Sequence, residues 1–163
     1  RFLGTYVEMI TGRKLHIWPG ACHVHEKIGD MNLADKQAEH PEAEVLIHPE
    51  CGCSTACMMK QAFNGDCKEA HVQSTSGMLT HARESAADEF VVATETGILH
   101  RMRKENPGKT FYAANENSVC EYMKMTTLTN LRDALAHDQY EVRVDPDMAK
   151  AARRPIDRML AIG

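Results

Sequence analysis

The chain has 163 residues, 43% hydrophobic and 26% charged, with net charge −4 and an isoelectric point near 6.1. This is an ordinary globular composition, and the lack of any basic stripe excludes a general nucleic-acid binder. No apolar run approaches the ~20 residues of a membrane-crossing helix, and no export signal is visible. With six cysteines, nine histidines and ten methionines, the chain is expected in a reducing cytoplasm, where thiols bind metal or react.

Phe2, Leu3, Tyr6, Val7, Met9 and Ile10 recur at helical spacing and predict a helix over 2–11 that Gly12 closes. Residues 14–18 read as a short strand stopped by Pro19-Gly20. A helix over 30–40 is capped by Asp30 and halted before Pro41. Residues 44–48 form the next strand, and a helix over 55–63 breaks at Asn64-Gly65. A strand at 71–74 runs into Ser74-Thr75-Ser76-Gly77 and a helix over 78–85. Strands at 90–93 and 110–113 bracket a helix over 96–105, which Asn106-Pro107-Gly108 ends. A helix over 127–136, a strand at 140–144 and a helix from Asp145-Pro146 to about Ile162 complete the chain; Pro155 should kink or interrupt that last helix. Strands alternate with helices throughout, the pattern of an α/β fold with a parallel sheet covered on both faces.

Chemistry in such folds collects where strands end. The densest exit is Ile47-His48-Pro49-Glu50-Cys51-Gly52-Cys53. Pro49 biases His48 toward an extended conformation, and alternate residues of an extended segment point the same way. His48 and Glu50 can therefore face one substrate and suit proton transfer near neutral pH; a sheet-capping histidine and a helix-capping glutamate explain them equally well. Cys51, Cys53 and Cys57 have a compact spacing that reads as a local metal or cluster site, or as ordinary thiols. Cys22, three before His25, and Cys120, after the polar loop 115–119, are alternative ligands from distant strand ends, which spacing alone does not bring together. Ser74 and Thr75 open a helix and form either an anion site or a plain cap. Glu95, at another strand exit, reads either as a member of the site or, more safely, as a capping carboxylate, and Met58, Met59, Met78, Met102, Met123 and Met125 read mostly as core.

The stretches WPGACHVHEKI, AEVLIHPECGCSTACM, STSGM, FVVATETGILHRMRKENPGKTFY and SVCEYMKMTTL, with a tail ending RRPIDRMLAIG, resemble the quinolinate synthase family of de novo NAD biosynthesis, from the first residues to the last and in family order. The resemblance implies three related αβα domains around a pseudo-threefold axis, each giving one cysteine to a 4Fe-4S cluster whose open iron is a Lewis acid. It implies condensation of iminosuccinate (iminoaspartate) with dihydroxyacetone phosphate to quinolinate, with loss of water and phosphate. L-aspartate oxidase is the implied supplier of iminosuccinate.

By match of motif, Cys22 and Cys120 are implied as two of three cluster ligands, and Cys51, Cys53 and Cys57 as non-ligands. His48 and Glu50 are implied as the substrate-binding acid–base pair, His25 as a lining residue of the same cavity, and Ser74 and Thr75 as holders of a carboxylate or phosphate; Glu95 receives no role. Residues 1–24 would close the second αβα domain, 25–120 form the third, and 121–163 pack back on the first. The first domain with its cysteine, and most of the second with a Tyr-Val-Asn motif, would then lie outside this chain, which is expected to be an inactive fragment. Two rivals stand beside this reading. One is a non-catalytic iron–sulfur or zinc module on Cys51, Cys53 and Cys57; the other is a metal-free enzyme with Cys51 as nucleophile and His48 as base.

Overall fold

A computed structural model describes residues 1–54 and 70–162. The helix expected over 55–63 lies outside them, as do Cys57, Cys67, Met58 and Met59. The chain divides into two compact units, Arg1–Cys120 and Glu121–Gly163.

The first unit is a three-layer α/β structure. Strands β1 (Glu44–Ile47), β2 (Ala70–Val72), β3 (Glu89–Ala93) and β4 (Thr110–Ala113) form one parallel sheet in the order β2-β1-β3-β4. Side chains alternate across a strand, and here both sets are apolar, as a sheet covered on both faces requires. Val45, Ile47, Val91 and Ala93 form one core with Ile28 and with Leu33 of helix α2 (Asp30–Glu39). Leu46, Phe90, Val92, Phe111 and Ala113 form the other, against Met78 and Ala82 of α3 (Thr75–Glu84) and Leu99 and Met102 of α4 (Ile98–Glu105). Within it the Phe90 and Phe111 rings stack at 5.3 Å, a contact that adds about 0.5–1.5 kcal/mol to their burial. Lys109 Nζ donates to the carbonyls of Ala82 and Ser85 at 2.8 and 2.5 Å, closing the C-terminus of α3.

The strand order places a switch point between β1 and β3. The chain leaves β1 for the edge strand β2, then crosses back to β3 and continues outward to β4. The loops after β1 and β3 therefore part in opposite directions and leave a crevice at the carboxyl end of the sheet, where α/β folds bind ligands.

Helix ends follow the local chemistry. Helix α1 (Phe2–Thr11) closes on Gly12 at φ 64°, whose N–H donates to the Glu8 carbonyl at 2.9 Å. The cap of α2 is Gly29 rather than Asp30, with the Gly29 N–H donating to Asn32 Oδ1 at 3.1 Å. Residues 14–18 and 140–144, expected as strands, are irregular. Neither segment pairs with the sheet, and alternation alone forms no strand without a partner edge. Trp18 and Val142 accordingly lie 81% and 87% exposed.

The second unit comprises α5 (Glu121–Lys124), α6 (Leu128–His137) and α7 (Pro146–Leu160). Asp145, the expected N-cap, accepts through Oδ1 from Asp147 N and Met148 N, and Thr127, expected as the first helical residue, is instead a cap whose Oγ1 accepts from Asn130 N. Helix α7 runs through Pro155 without a break. The helix is exposed throughout, so solvent can satisfy the one carbonyl that the missing N–H leaves. No described residue of this unit is buried. Met78 and Met102 are core as expected, whereas Met123, on α5, and Met125, in the turn after it, are exposed, in a unit with no buried described residue.

Candidate active site

The crevice is lined by the exits of β1 and β3, laced together by their backbones. The His48 N–H donates to the Ala93 carbonyl at 3.0 Å, and on the other side the Gln73 N–H donates to the Ile47 carbonyl at 2.9 Å. His48 therefore leaves the sheet between the ends of β2 and β3. Its ring stacks on His25 with centroids 4.1 Å apart and planes 14° from parallel. His25 comes from a 3-10 turn, His25–Lys27, and its Nε2 lies 2.9 Å from Oγ1 of the buried Thr94, the first residue after β3. Gly52 makes this approach possible. A Cβ there would stand 3.1 Å from the carbonyl oxygens of Glu26 and Ile28, and the neighbouring Cys53 N–H donates to that Ile28 oxygen at 3.0 Å.

The Glu50 N–H donates to His48 Nδ1 at 3.2 Å. An N–H donor at Nδ1 requires a lone pair there, so neutral His48 carries its proton on Nε2. Burial holds the His48 imidazole below its ordinary pKa, against an upward pull from Glu50. Burial and then His48 hold His25 below its ordinary value as well, while Glu50 and Glu95 pull it up. Both rings are thus biased to the neutral form. His25 Nδ1 is buried without a hydrogen-bond partner, a polar atom facing its surroundings unsatisfied.

The four cysteines among the described residues divide into two kinds. Cys51 and Cys53 are buried in the core, and Cys51 Sγ donates to the Ala93 carbonyl at 2.9 Å. The adjacent Cys53 sulfur and burial push the Cys51 thiol up, away from the reactive thiolate. Cys22 is exposed and Cys120 half-buried, both as free thiols. Each is tied to the β3 exit. The Cys22 carbonyl accepts from Glu26 N at 2.9 Å, closing the turn that carries His25 to Thr94. The Cys120 N–H donates to Glu95 Oε1 at 3.3 Å, and the Thr96 N–H to the Ser118 carbonyl at 2.9 Å. Glu95 Oε2 also accepts from Gly97 N at 2.8 Å, so this carboxylate caps its own loop and holds the loop that ends in Cys120. At the far side of the crevice Ser74 caps α3, its Oγ accepting from Gly77 N at 3.2 Å, and Thr75 is the first helical residue. Both are exposed.

A profile of the family described as quinolinate synthetase A protein matches residues 1–161. The chain belongs to this family. It is 44% identical to a quinolinate synthase of Thermus thermophilus over 162 residues, 99% of this chain and 50% of that protein. It is 43% identical to one of Pyrobaculum aerophilum over 98% of this chain and 51% of that protein, and 44% identical to one of a Mycobacterium species over 100% and 49%. The chain thus spans about half the length of the curated relatives it matches.

Among the described residues, Cys22 and Cys120 are the thiols open to a ligand, and thiolate is the donor type an iron–sulfur cluster takes. Cys22 and Cys120 stand outside the core as free thiols, Cys120 bonded through its N–H to Glu95 and Cys22 opening the turn that carries His25, whereas Cys51 and Cys53 are buried. Cys57 lies outside the described residues. Sequence reasoning missed Thr94 and Gly52. Thr94 carried a signal, its place directly after a strand beside the switch point. Gly52 carried none beyond being a glycine between two cysteines.

Proposed function

We propose that this chain is part of a quinolinate synthase that condenses iminosuccinate with dihydroxyacetone phosphate in NAD biosynthesis, with Cys22 and Cys120 as two of three thiolate ligands to a 4Fe-4S cluster. What carries the reading is the His25–His48 stack beside Glu50 in the switch-point crevice, between loops bearing the two cysteines that are unburied among the described residues. When bound, the cluster supplies a Lewis-acidic iron that polarises a substrate oxygen.

The protein groups divide the remaining work. With Nδ1 held by the Glu50 N–H, His48 offers a substrate oxygen a hydrogen bond from Nε2. Glu50, acceptor-only when ionised, takes and returns the protons that imine–enamine and keto–aldehyde shifts require. His25, locked by Thr94 through Nε2, shapes the wall and presents Nδ1. The Ser74 hydroxyl and the free N–H groups at the start of α3 receive a carboxylate or the phosphate. An aspartate-oxidising enzyme such as L-aspartate oxidase would supply the imine, and the reducing cytoplasm would keep the thiols available. No helix among the described residues is long and apolar enough to cross a membrane.

The test is quinolinate formation by the anaerobically reconstituted full-length protein. Glu50→Gln should abolish turnover and leave the cluster absorbance intact. Cys22→Ala and Cys120→Ala should each lose that absorbance, and Cys53→Ala should keep it. The isolated 163-residue chain should be inactive. Loss of the cluster in Cys53→Ala with retention in Cys22→Ala would establish the local-cysteine alternative.

A further inference from the structure

A second group of ligating side chains lies on the α3 face of the sheet, away from the crevice. Glu44 opens β1, His71 is the middle residue of β2, and His81 lies on α3. The pairing of Leu46 with His71 puts Glu44, Leu46 and His71 on one face of the sheet, and α3 lays His81 over it. Each residue offers one ligand atom, and the three atoms lie within 4.8 Å of one another. His81 Nε2 is 2.7 Å and His71 Nε2 3.9 Å from the same oxygen, Glu44 Oε2. The two imidazoles stand 4.0 Å apart, tilted by 39°.

We propose that Glu44, His71 and His81 bind a divalent transition-metal ion, zinc by preference, which clips β1, β2 and α3 together at the sheet edge. Two imidazoles and a carboxylate are the donor set that zinc takes with an open fourth position. Donors about 2.0–2.2 Å from a tetrahedral ion stand about 3.3 Å from each other, and the two distances to Glu44 Oε2 bracket that value.

The surrounding groups suit the same assignment. Ser85 Oγ donates to Glu44 Oε1 at 2.9 Å, which leaves Oε2 for the ion. The Gln73 side-chain amide lies 3.4 Å from His81 Nδ1, and Gln73 Oε1 is buried without a partner. A half-turn of that amide sets its oxygen to accept a proton from His81 Nδ1, which leaves the Nε2 lone pair for the metal; ligating histidines are usually held in this way. The His71 side chain is 38% exposed and that of His81 20%, so an ion can enter from solvent and keep a water as fourth ligand.

The experiment is Co2+ titration of the full-length protein, followed by its visible ligand-field absorption, with thermal melts in the presence and absence of Zn2+. The wild-type protein should show a cobalt spectrum lacking the near-ultraviolet thiolate charge-transfer band, and a melting temperature that rises with Zn2+. Both should vanish in His71→Ala, a substitution at a side chain 38% exposed on the edge strand. Glu44→Gln, which keeps the shape and the hydrogen-bonding capacity, should weaken Co2+ binding at least tenfold; Ser85→Ala should weaken it by about 10–100-fold. A His71→Ala protein with the wild-type cobalt spectrum and affinity would overturn the assignment. A wild-type protein whose bound Co2+ shows thiolate ligation alone, or none, would overturn it equally.

Discussion

Thr94→Val tests the crevice geometry at its least visible joint. Valine matches threonine in shape, so the change removes the hydroxyl and leaves no cavity. It takes away the 2.9 Å bond that holds His25 Nε2, in a ring whose Nδ1 is already without a partner. A hydrogen bond of this kind contributes about 0.5–1.5 kcal/mol, and a buried group left unpaired costs about 1–3 kcal/mol. The ring is half-buried, so the lower part of that range applies and about 1–2 kcal/mol is expected. Expressed in turnover, 1–2 kcal/mol lost from the alignment of His25 against His48 is a factor of about 5–30. The assay is urea unfolding of the full-length protein together with kcat/KM for quinolinate formation, run as a double-mutant cycle with His25→Gln. A coupling energy between positions 25 and 94 of about 0.5 kcal/mol or more is expected for residues in contact. A stability change and a coupling energy both under about 0.3 kcal/mol would show that Thr94 does not hold His25.

Gly52→Ala should destabilise by about 1–3 kcal/mol, because its new methyl meets two backbone oxygens at 3.1 Å that cannot swing aside; chemical denaturation giving a change near zero would show that the 25–28 turn can retreat. Glu95→Ala removes the acceptor of the Gly97 and Cys120 N–H groups, bonds to a charged group that contribute about 1.5–3 kcal/mol. Cys120 in the cluster-free protein should then react faster with a maleimide while Cys22 reacts at its former rate, and a Cys120 rate unchanged from wild type would remove Glu95 as the tether. Acidification should also destabilise. His25 and His48 are held below their ordinary values by burial, so as pH falls below the ordinary histidine value of about 6.5 the unfolded chain binds protons that the folded chain refuses. Stability therefore rises with pH through that window and is lost below it. Melts at stepped pH should show this slope, with a shallower one in a His25→Gln, His48→Gln double variant.

The layered fold was legible because its signals are local. Residues 90–93 and 110–113 are dense in apolar and aromatic side chains between polar breaks, and they became β3 and β4 with ends matching to a residue. Gly12, Asn106, Thr127 and Asp145 ended or opened helices through side-chain and backbone chemistry that needs no tertiary partner. The strands expected at 14–18 and 140–144 show the limit of that reasoning. Both have the composition of a strand, but a strand exists through hydrogen bonds to a neighbour, and neither segment has one in the sheet. Asp30 was displaced as a cap for a related reason: Asn32 reaches back to the Gly29 N–H and starts the helix one residue earlier.

The candidate site was legible in its chemistry and illegible in its wiring. His48 and Glu50 follow β1 and Cys120 follows the loop after β4, all conspicuous by residue type, whereas Cys22 follows an irregular segment with the composition of a strand. Their arrangement depends on Thr94 meeting His25 across 69 positions, and on Glu95 meeting Cys120 across 25, separations that no periodicity encodes. Both of those contacts issue from the first two residues after β3. The strand at the switch point therefore does more than border the crevice. Its exit loop fixes the wall histidine with a hydroxyl and the second thiol with a carboxylate, so a shift of β3 against β1 would move both at once. The two residues that seemed least informative beside the cysteines and histidines, a threonine and a capping glutamate, are the ones that set where the others stand.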